Sequence, residues 1–255
     1  MDHTALLDLA ARLARDACGA IEAVRRAGFA IERKGDASPV TAADRLAEGI
    51  ITEGLLKAVP DWLVVGEEAC SESGMPEPEE TFWLVDPLDG TREFAAGRDE
   101  YVTCIALIVA RRPVLGVIGV PSNGEIYGGI VGQGAWVERG GARRPIRART
   151  PPAEGLHLLD SRSHRDDAAT EGFCSDLRIA TTTRMGSALK FAWMAEGRAD
   201  VMPRLSSGIM EWDTAAGQAL LEAAGGCVVD ADGAPLTYGK PGYRNGGFVA
   251  WGARA

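Results

Sequence analysis

The sequence predicts an α/β protein, built as a mixed α+β half over residues 1–150 followed by an α/β half over residues 151–255. Three observations carry this reading. Two amphipathic helical stretches open the chain. A dense series of short apolar, strand-like runs follows. Beyond residue 150, strands and helices alternate.

The first helix is read over residues 4–27. Leu6, Leu9, Ala10, Leu13, Ala17, Ile21 and Val24 recur at three- and four-residue spacing, and Gly28 terminates the pattern. A second helix starts at Thr41, with Leu46, Ile50 and Leu55 expected to face inward and Pro60 just past its end. Between them, Arg33-Lys34-Gly35-Asp36 reads as a basic-polar loop. Strand-like runs follow at 62–65, 82–86, 101–110, 113–120, 125–130 and 134–138, punctuated by turn formers such as Pro121-Ser122-Asn123-Gly124. Residues 139–153, rich in Arg, Gly and Pro, are expected to form a connection. After it, strands near 156–160, 177–180, 200–203, 227–230 and 247–251 alternate with helices near 165–175, 187–196 and 213–224.

The bulk properties narrow the functional classes. With 46% hydrophobic and 25% charged residues the chain can bury a core and remain soluble. Its net charge of −9 repels nucleic acid, so no nucleic-acid polymer is expected as a partner. Five scattered cysteines without a C-x-x-C pair suit a reducing compartment. The amphipathic, charged beginning does not read as a signal peptide, and no apolar run is long enough to span a bilayer. A cytoplasmic location is expected, with peripheral contact at the inner membrane left open.

The chemistry concentrates in carboxylates at element ends. Trp83-Leu84-Val85 runs into Asp86, and Asp89 follows after Pro87-Leu88. Asp-Pro and Asp-Gly are ordinary turn formers. Here they overlap at the carboxyl end of an apolar strand, where α/β sheets place their sites. Neighbouring carboxylates repel unless a cation lies between them, and oxygen-rich clusters suit hard cations such as Mg²⁺. Glu67-Glu68 repeats the layout after Trp62–Val65, and Glu211-Trp212-Asp213 opens a helix. Taken singly, Glu67-Glu68 reads as a solvated loop, Asp213 as a helix-dipole residue and Asp44 as the acid of a capping box with Thr41. Spacing alone does not bring them together. The chain has no G-x-x-x-x-G-K-[ST], no G-x-G-x-x-G opening a helix, no G-x-S-x-G and no zinc-type histidine spacing.

In combination, Gly66-Glu67-Glu68, Trp83-Leu84-Val85-Asp86-Pro87-Leu88-Asp89-Gly90-Thr91 and Trp212-Asp213-Thr214-Ala215-Ala216-Gly217 resemble the inositol monophosphatase superfamily of Mg²⁺-dependent, lithium-sensitive phosphatases. Asp89-Gly90-Thr91-Arg92-Glu93-Phe94, Ser161-Arg162-Ser163-His164, Gly186–Lys190 and Met210–Asp213 are similar to its 3′(2′),5′-bisphosphate nucleotidase branch, of the CysQ type. Asn245-Gly246-Gly247 departs from that pattern, where many relatives carry Asn-Pro, in a loop expected to lie away from the metal motif.

The resemblance implies a layered α/β/α/β/α sandwich and two or three Mg²⁺ ions, with lithium and calcium inhibiting. It implies that Glu67, Asp86 and the Leu88 carbonyl hold one metal, and that Asp86, Asp89 and Asp213 hold another. Glu67, near Asp44, would help hold a third ion or its water. Asp44 and Thr91 would orient and deprotonate the attacking water, with the Gly90 and Thr91 amides around the phosphate. Ser161, His164, Ser187, Lys190 and Asp213 would meet the rest of the substrate, with Arg184 as a further anion candidate. That substrate would be adenosine 3′,5′-bisphosphate, cleaved to AMP by a monomer or homodimer. An inositol-1-phosphate or histidinol-phosphate phosphatase stays open as an alternative, as does a non-catalytic sensor of nucleotide or metal.

Overall fold

The computed structural model describes residues 2–30, 32–33, 39–162, 167–206 and 208–253. In the first half the elements are α1 (His3–Ala27), β1 (Glu32–Arg33), β2 (Pro39–Val40), α2 (Ala42–Ala58), β3 (Leu63–Gly66), α3 (Glu67–Ser73), β4 (Thr81–Asp89), α4 (Thr91–Ala95), β5 (Val102–Val109), β6 (Arg112–Val120), β7 (Glu125–Ile130), β8 (Gly134–Arg139) and β9 (Ala142–Ile146). The second half adds β10 (Leu156–Ser161), α5 (Asp167–Cys174), β11 (Ile179–Met185), α6 (Leu189–Ala195), β12 (Val201–Arg204), β13 (Ile209–Met210), α7 (Trp212–Ala223), β14 (Cys227–Asp230), β15 (Arg244–Asn245) and β16 (Phe248–Trp251).

Strands β3 to β9 form one seven-stranded sheet in sequence order, parallel only between β3 and β4. A five-stranded sheet runs β11-β10-β12-β16-β14. Helices α1 and α2 pack together on one face of the large sheet. Helices α6 and α7 cover its other face, and α7 also touches β14 of the second sheet. Helix α5 lies against β12 on the outside. The layers are therefore α/β/α/β/α, and the carboxyl end of β4, the start of α3 and the start of α7 converge between them.

Alternation along β4 shows how the layers are held. Trp83 and Val85 join α1 and α2 in one buried cluster, while Phe82 and Leu84 join α6, α7 and the second sheet in another. A strand buried on both faces has no polar side, which is why it reads as a continuous apolar run. Helix α7 is buried from Thr214 to Leu221, as expected for a helix sandwiched between sheets. Its small residues allow a close approach to the large sheet. A Cβ at Gly116 of β6 would stand 2.9 Å from Ala216 Cα, and one at Gly129 of β7 would stand 2.7 Å from Ala223 Cβ.

Several sequence expectations change. Residues 139–153 are not only a connection: Ala142–Ile146 form β9, antiparallel to β8. Glu67-Glu68 do not lie in a solvated loop, since both belong to α3 and Glu68 is buried. On α2, Leu46 is 48% exposed rather than inward, and the buried stripe is Ala43, Ala47, Ile51 and Leu55. Asp44 and Glu48 are also buried on α2, and turning them inward carries Leu46 to the surface. The strand expected at 177–180 begins at Ile179 and continues to Met185. The loop expectation at Lys34–Asp36 falls outside the described residues.

Candidate active site

Asp86 and Asp89 end β4 with a bulge. Asp86 is opposite Cys104 and Asp89 opposite Val102, so three steps on β4 match two on β5. In an unbroken strand residues three apart point to opposite faces; one extra residue brings them to the same side. Pro87 favours the irregularity because it has no amide to give to the ladder. The freed groups find partners: Thr103 Oγ1 donates to the Pro87 carbonyl at 2.8 Å, and Leu88 N donates to Asp86 Oδ1 at 3.0 Å. Gly90 then turns the chain at φ 98°, where a Cβ would press on the Glu100 carbonyl at 2.8 Å. Thr91 follows as the first residue of α4.

Two other elements bring acids to the same place. Glu67 is the first residue of α3, directly after β3, and Asp213 lies in the first turn of α7. Oxygens of Glu67, Asp86 and Asp213 all lie within 4.8 Å of one another. Asp89 lines the same cavity as these three, and its Oδ2 accepts the amide of Ala188. Met210 N donates to Asp213 Oδ2 at 3.1 Å. Burial pushes the Asp89 carboxyl up to about 6, against the pull of the Ala188 amide and the Lys190 charge. Burial, and then the charges of Asp89 and Glu67, raise Asp213 well above the usual carboxylate range. An all-oxygen cluster that resists holding its own negative charge fits a hard divalent cation, whose field reverses that resistance. Leu88 lines the cavity too, and its carbonyl accepts from Thr91 Oγ1 at 3.0 Å.

Thr91 and Asp44 meet as the resemblance implied: Thr91 Oγ1 lies 3.2 Å from Asp44 Oδ1. Asp44 is also the acid of a complete capping box, in which its Oδ2 accepts Thr41 N at 2.8 Å and the Thr41 side chain accepts the N3 amide; the same Oδ2 also accepts Thr41 Oγ1 at 2.7 Å. The two readings of this residue are therefore compatible. Burial raises the proton affinity of Asp44, and those hydrogen bonds only partly counter the rise.

The cluster opens into a cavity of about 520 Å³ that is also lined by Ser161, Ser187 and Lys190. Lys190 is buried, and two of its three donors are engaged: Nζ donates to the Ser187 carbonyl at 2.7 Å and the Met185 carbonyl at 3.3 Å. It thereby braces a tight turn in which Ser187 has φ 52° and Ala188 binds Asp89. Burial lowers the lysine to about 8. His164 falls outside the described residues. Arg184 does not line the cavity; it is exposed, 3.5 Å from Asp160 Oδ2.

Sequence reasoning missed Arg204, a cavity-lining cation at the end of β12 that feels the charges of Asp213 and Asp89. Its position at a strand's carboxyl end was the signal that could have found it. Asn245 is also nearer to the site than expected. β15 pairs with β13 just before Asp213, and Asn245 Nδ2 donates to Thr214 Oγ1 at 2.7 Å. Gly247 fits because a Cβ there would lie 2.9 Å from the Leu205 carbonyl.

Known proteins resemble this chain over nearly its whole length. The 3′(2′),5′-bisphosphate nucleotidase CysQ of Salmonella typhimurium is 41% identical over 248 residues, covering 95% of this chain and 98% of that protein. CysQ of Escherichia coli K12 is 40% identical over the same shares. Among solved structures, CysQ from Bacteroides thetaiotaomicron superimposes with a TM-score of 0.82 at 31% identity, covering 98% of each chain. An inositol monophosphatase from Zymomonas mobilis gives 0.80 at 30% identity, covering 99% of this chain and 94% of that one. Residues 2–251 match the inositol monophosphatase family, and with that extent of match the chain belongs to it.

Proposed function

We propose that this chain is a Mg²⁺-dependent 3′(2′),5′-bisphosphate nucleotidase that hydrolyses adenosine 3′,5′-bisphosphate to AMP and phosphate in the cytoplasm, as a monomer or homodimer. The observation that carries the reading is the approach of Glu67, Asp86 and Asp213 to within 4.8 Å of one another at a cavity that also holds Thr91, Lys190 and Arg204. The bisphosphate nucleotidases that match nearly the whole chain support it.

Glu67, Asp86 and the Leu88 carbonyl would hold one cation, and Asp86, Asp89 and Asp213 a second; a third, near Glu67, is part of the same proposal. When bound, Mg²⁺ would neutralise charge on the phosphoryl group, acidify the attacking water and stabilise the leaving 3′-oxygen, which is then protonated from solvent. The chain's own residues do the rest. Thr91 passes its hydroxyl proton to Asp44 as its oxygen takes one from the attacking water, so the hydroxyl is regenerated and the water's proton is carried by Asp44. Asp44, whose burial favours the protonated form, takes up the proton passed along. The amides of Gly90 and Thr91 orient the phosphate. Lys190 and Arg204 supply positive charge for the second phosphate, with Ser161, His164 and Ser187 as further donors. The peripheral membrane contact left open from the sequence finds no support, and no helix among the described residues is long and apolar enough to cross a membrane.

Phosphate release with Mg²⁺ tests the proposal. The panel is adenosine 3′,5′-bisphosphate, its 3′-phosphosulfate derivative, inositol 1-phosphate, fructose 1,6-bisphosphate and histidinol phosphate. The adenosine bisphosphate should be the preferred substrate. A preference for inositol 1-phosphate would remove the nucleotidase assignment and leave the family. No phosphate release from any substrate would favour the sensor.

A further inference from the structure

Glu48 stands one helical turn after Asp44 on α2 and is buried, with 7% of its surface exposed. Its two carboxylate oxygens each accept a backbone amide: Oε2 from Glu68 at 2.8 Å and Oε1 from Ala69 at 2.7 Å. Those amides belong to the first turn of α3, where a helix leaves its N–H groups without intrahelical acceptors. Gly66, the residue at the local cap position, has no side chain to offer them. A Cβ on Gly66 would lie 2.5–2.8 Å from the Glu48 carboxylate. An acid from another helix thus replaces the local cap, and the glycine makes room for it.

The residue held in this way is Glu67, between Gly66 and the two bonded amides. We propose that Glu48 is a positioning residue for the metal centre: it locks the first turn of α3 so that Glu67 faces Asp86 and Asp213. The inference rests on the metal reading of those three acids. Glu48 is not itself one of the clustered ligands. Its position also has a consequence for coordination between the two parts of the site. Asp44 and Glu48 sit on one rigid helix, so α2 sets the place of the Thr91 partner and the place of Glu67 together. A carboxylate is suited to the task because it presents two acceptors to two amides at once and favours the positive end of the helix.

The test is Mn²⁺ binding to the full, substrate-free chain by titration calorimetry, comparing wild type with Glu48→Gln. Glutamine keeps the length but turns an NH₂ group toward an N–H donor. Affinity should fall roughly 10- to 100-fold, the scale on which residues that orient metal ligands act. Near-UV circular dichroism shows that the variant is folded at the titration temperature. Gly66→Ala, which crowds the same carboxylate, should weaken Mn²⁺ binding in the same direction. KM for the bisphosphate at saturating metal should stay near the wild-type value in both variants. If Glu48→Gln binds Mn²⁺ as tightly as wild type, Glu48 only stabilises the fold, whatever its effect on melting. If wild type itself binds no Mn²⁺, the metal reading falls and this inference with it.

Discussion

The hydroxyl of Thr91 lies 3.2 Å from Asp44 Oδ1, joining the start of α4 to the first turn of α2 across 47 positions of sequence. The same hydroxyl lies 3.0 Å from the Leu88 carbonyl. It has one proton and two acceptors, so the bond to Asp44 competes with one to a proposed metal ligand. That competition makes the pair open to direct test.

Thr91→Ala should lower kcat by about 10²–10⁴-fold, the usual worth of a positioned proton transfer, with little change in KM. Thr91→Ser, which keeps the hydroxyl, should retain most of the activity. Asp44→Asn should match the loss of Thr91→Ala, and the double variant should be little worse than either. Asp44→Asn should also melt at a lower temperature, because Asp44 accepts Thr41 N, Thr41 Oγ1 and Thr91 Oγ1 on two oxygens and the amide offers only one. Steady-state kinetics and thermal melts on the same samples separate the two effects. Additive losses in kcat would show that the residues do not act as a unit.

Removing divalent metal should abolish phosphate release, and Mg²⁺ should restore it. Asp86→Asn should be folded and inactive at any Mg²⁺ concentration. Because the cation binds only the folded chain, Mg²⁺ at a hundredfold its dissociation constant should stabilise the protein by about 2.7 kcal/mol. Ca²⁺ should compete with Mg²⁺ and inhibit, since it tolerates irregular coordination at longer distances. Li⁺ should inhibit as well. Wild-type turnover by Asp86→Asn would remove the metal assignment.

Lys190 provides a pH signature. Burial depresses it from the usual lysine range to about 8, so its positive charge is present below that pH and lost above it. KM for adenosine 3′,5′-bisphosphate should therefore rise as pH passes upward through about 8. Lys190→Ala should bind the bisphosphate more weakly and lose that dependence. The expected loss in kcat/KM is roughly ten- to a hundredfold, from a charged hydrogen bond of about 1.5–3 kcal/mol. Adenosine 3′-monophosphate, without the second phosphate, should be affected much less. An unchanged pH profile in the alanine variant would assign the lysine to bracing the 185–188 turn alone.

Gly116→Ala should destabilise the protein by pressing β6 against α7. The added Cβ meets the backbone of Ala216, which a buried helix between two sheets cannot easily withdraw. Overpacking of this kind costs about 1–3 kcal/mol, corresponding to a drop of roughly 2–12 °C in melting temperature for a domain of this size. A variant melting with the wild type would show that α7 and β6 leave room for a methyl group between them.

Local signals in the chain suffice to define many of its elements and their chemistry. Apolar runs bounded by turn formers located β4 and β5, helical periodicity located α1, and the Asp86-Pro87-Leu88-Asp89-Gly90 stretch announced two acids at a strand end. Such features depend on neighbours a few residues away, so they survive in a one-dimensional reading. Contacts through space settle the rest. They select Glu67, Asp86 and Asp213, from three separate elements, as the acids that meet. They make β9 a strand by offering the hydrogen-bonding edge of β8 to an Arg-rich, Pro-containing segment with no apolar alternation of its own. They rotate α2 so that Asp44 and Glu48 face Thr91 and α3, leaving Leu46 in solvent, because periodicity specifies a helix but not which way it turns when several faces compete for burial.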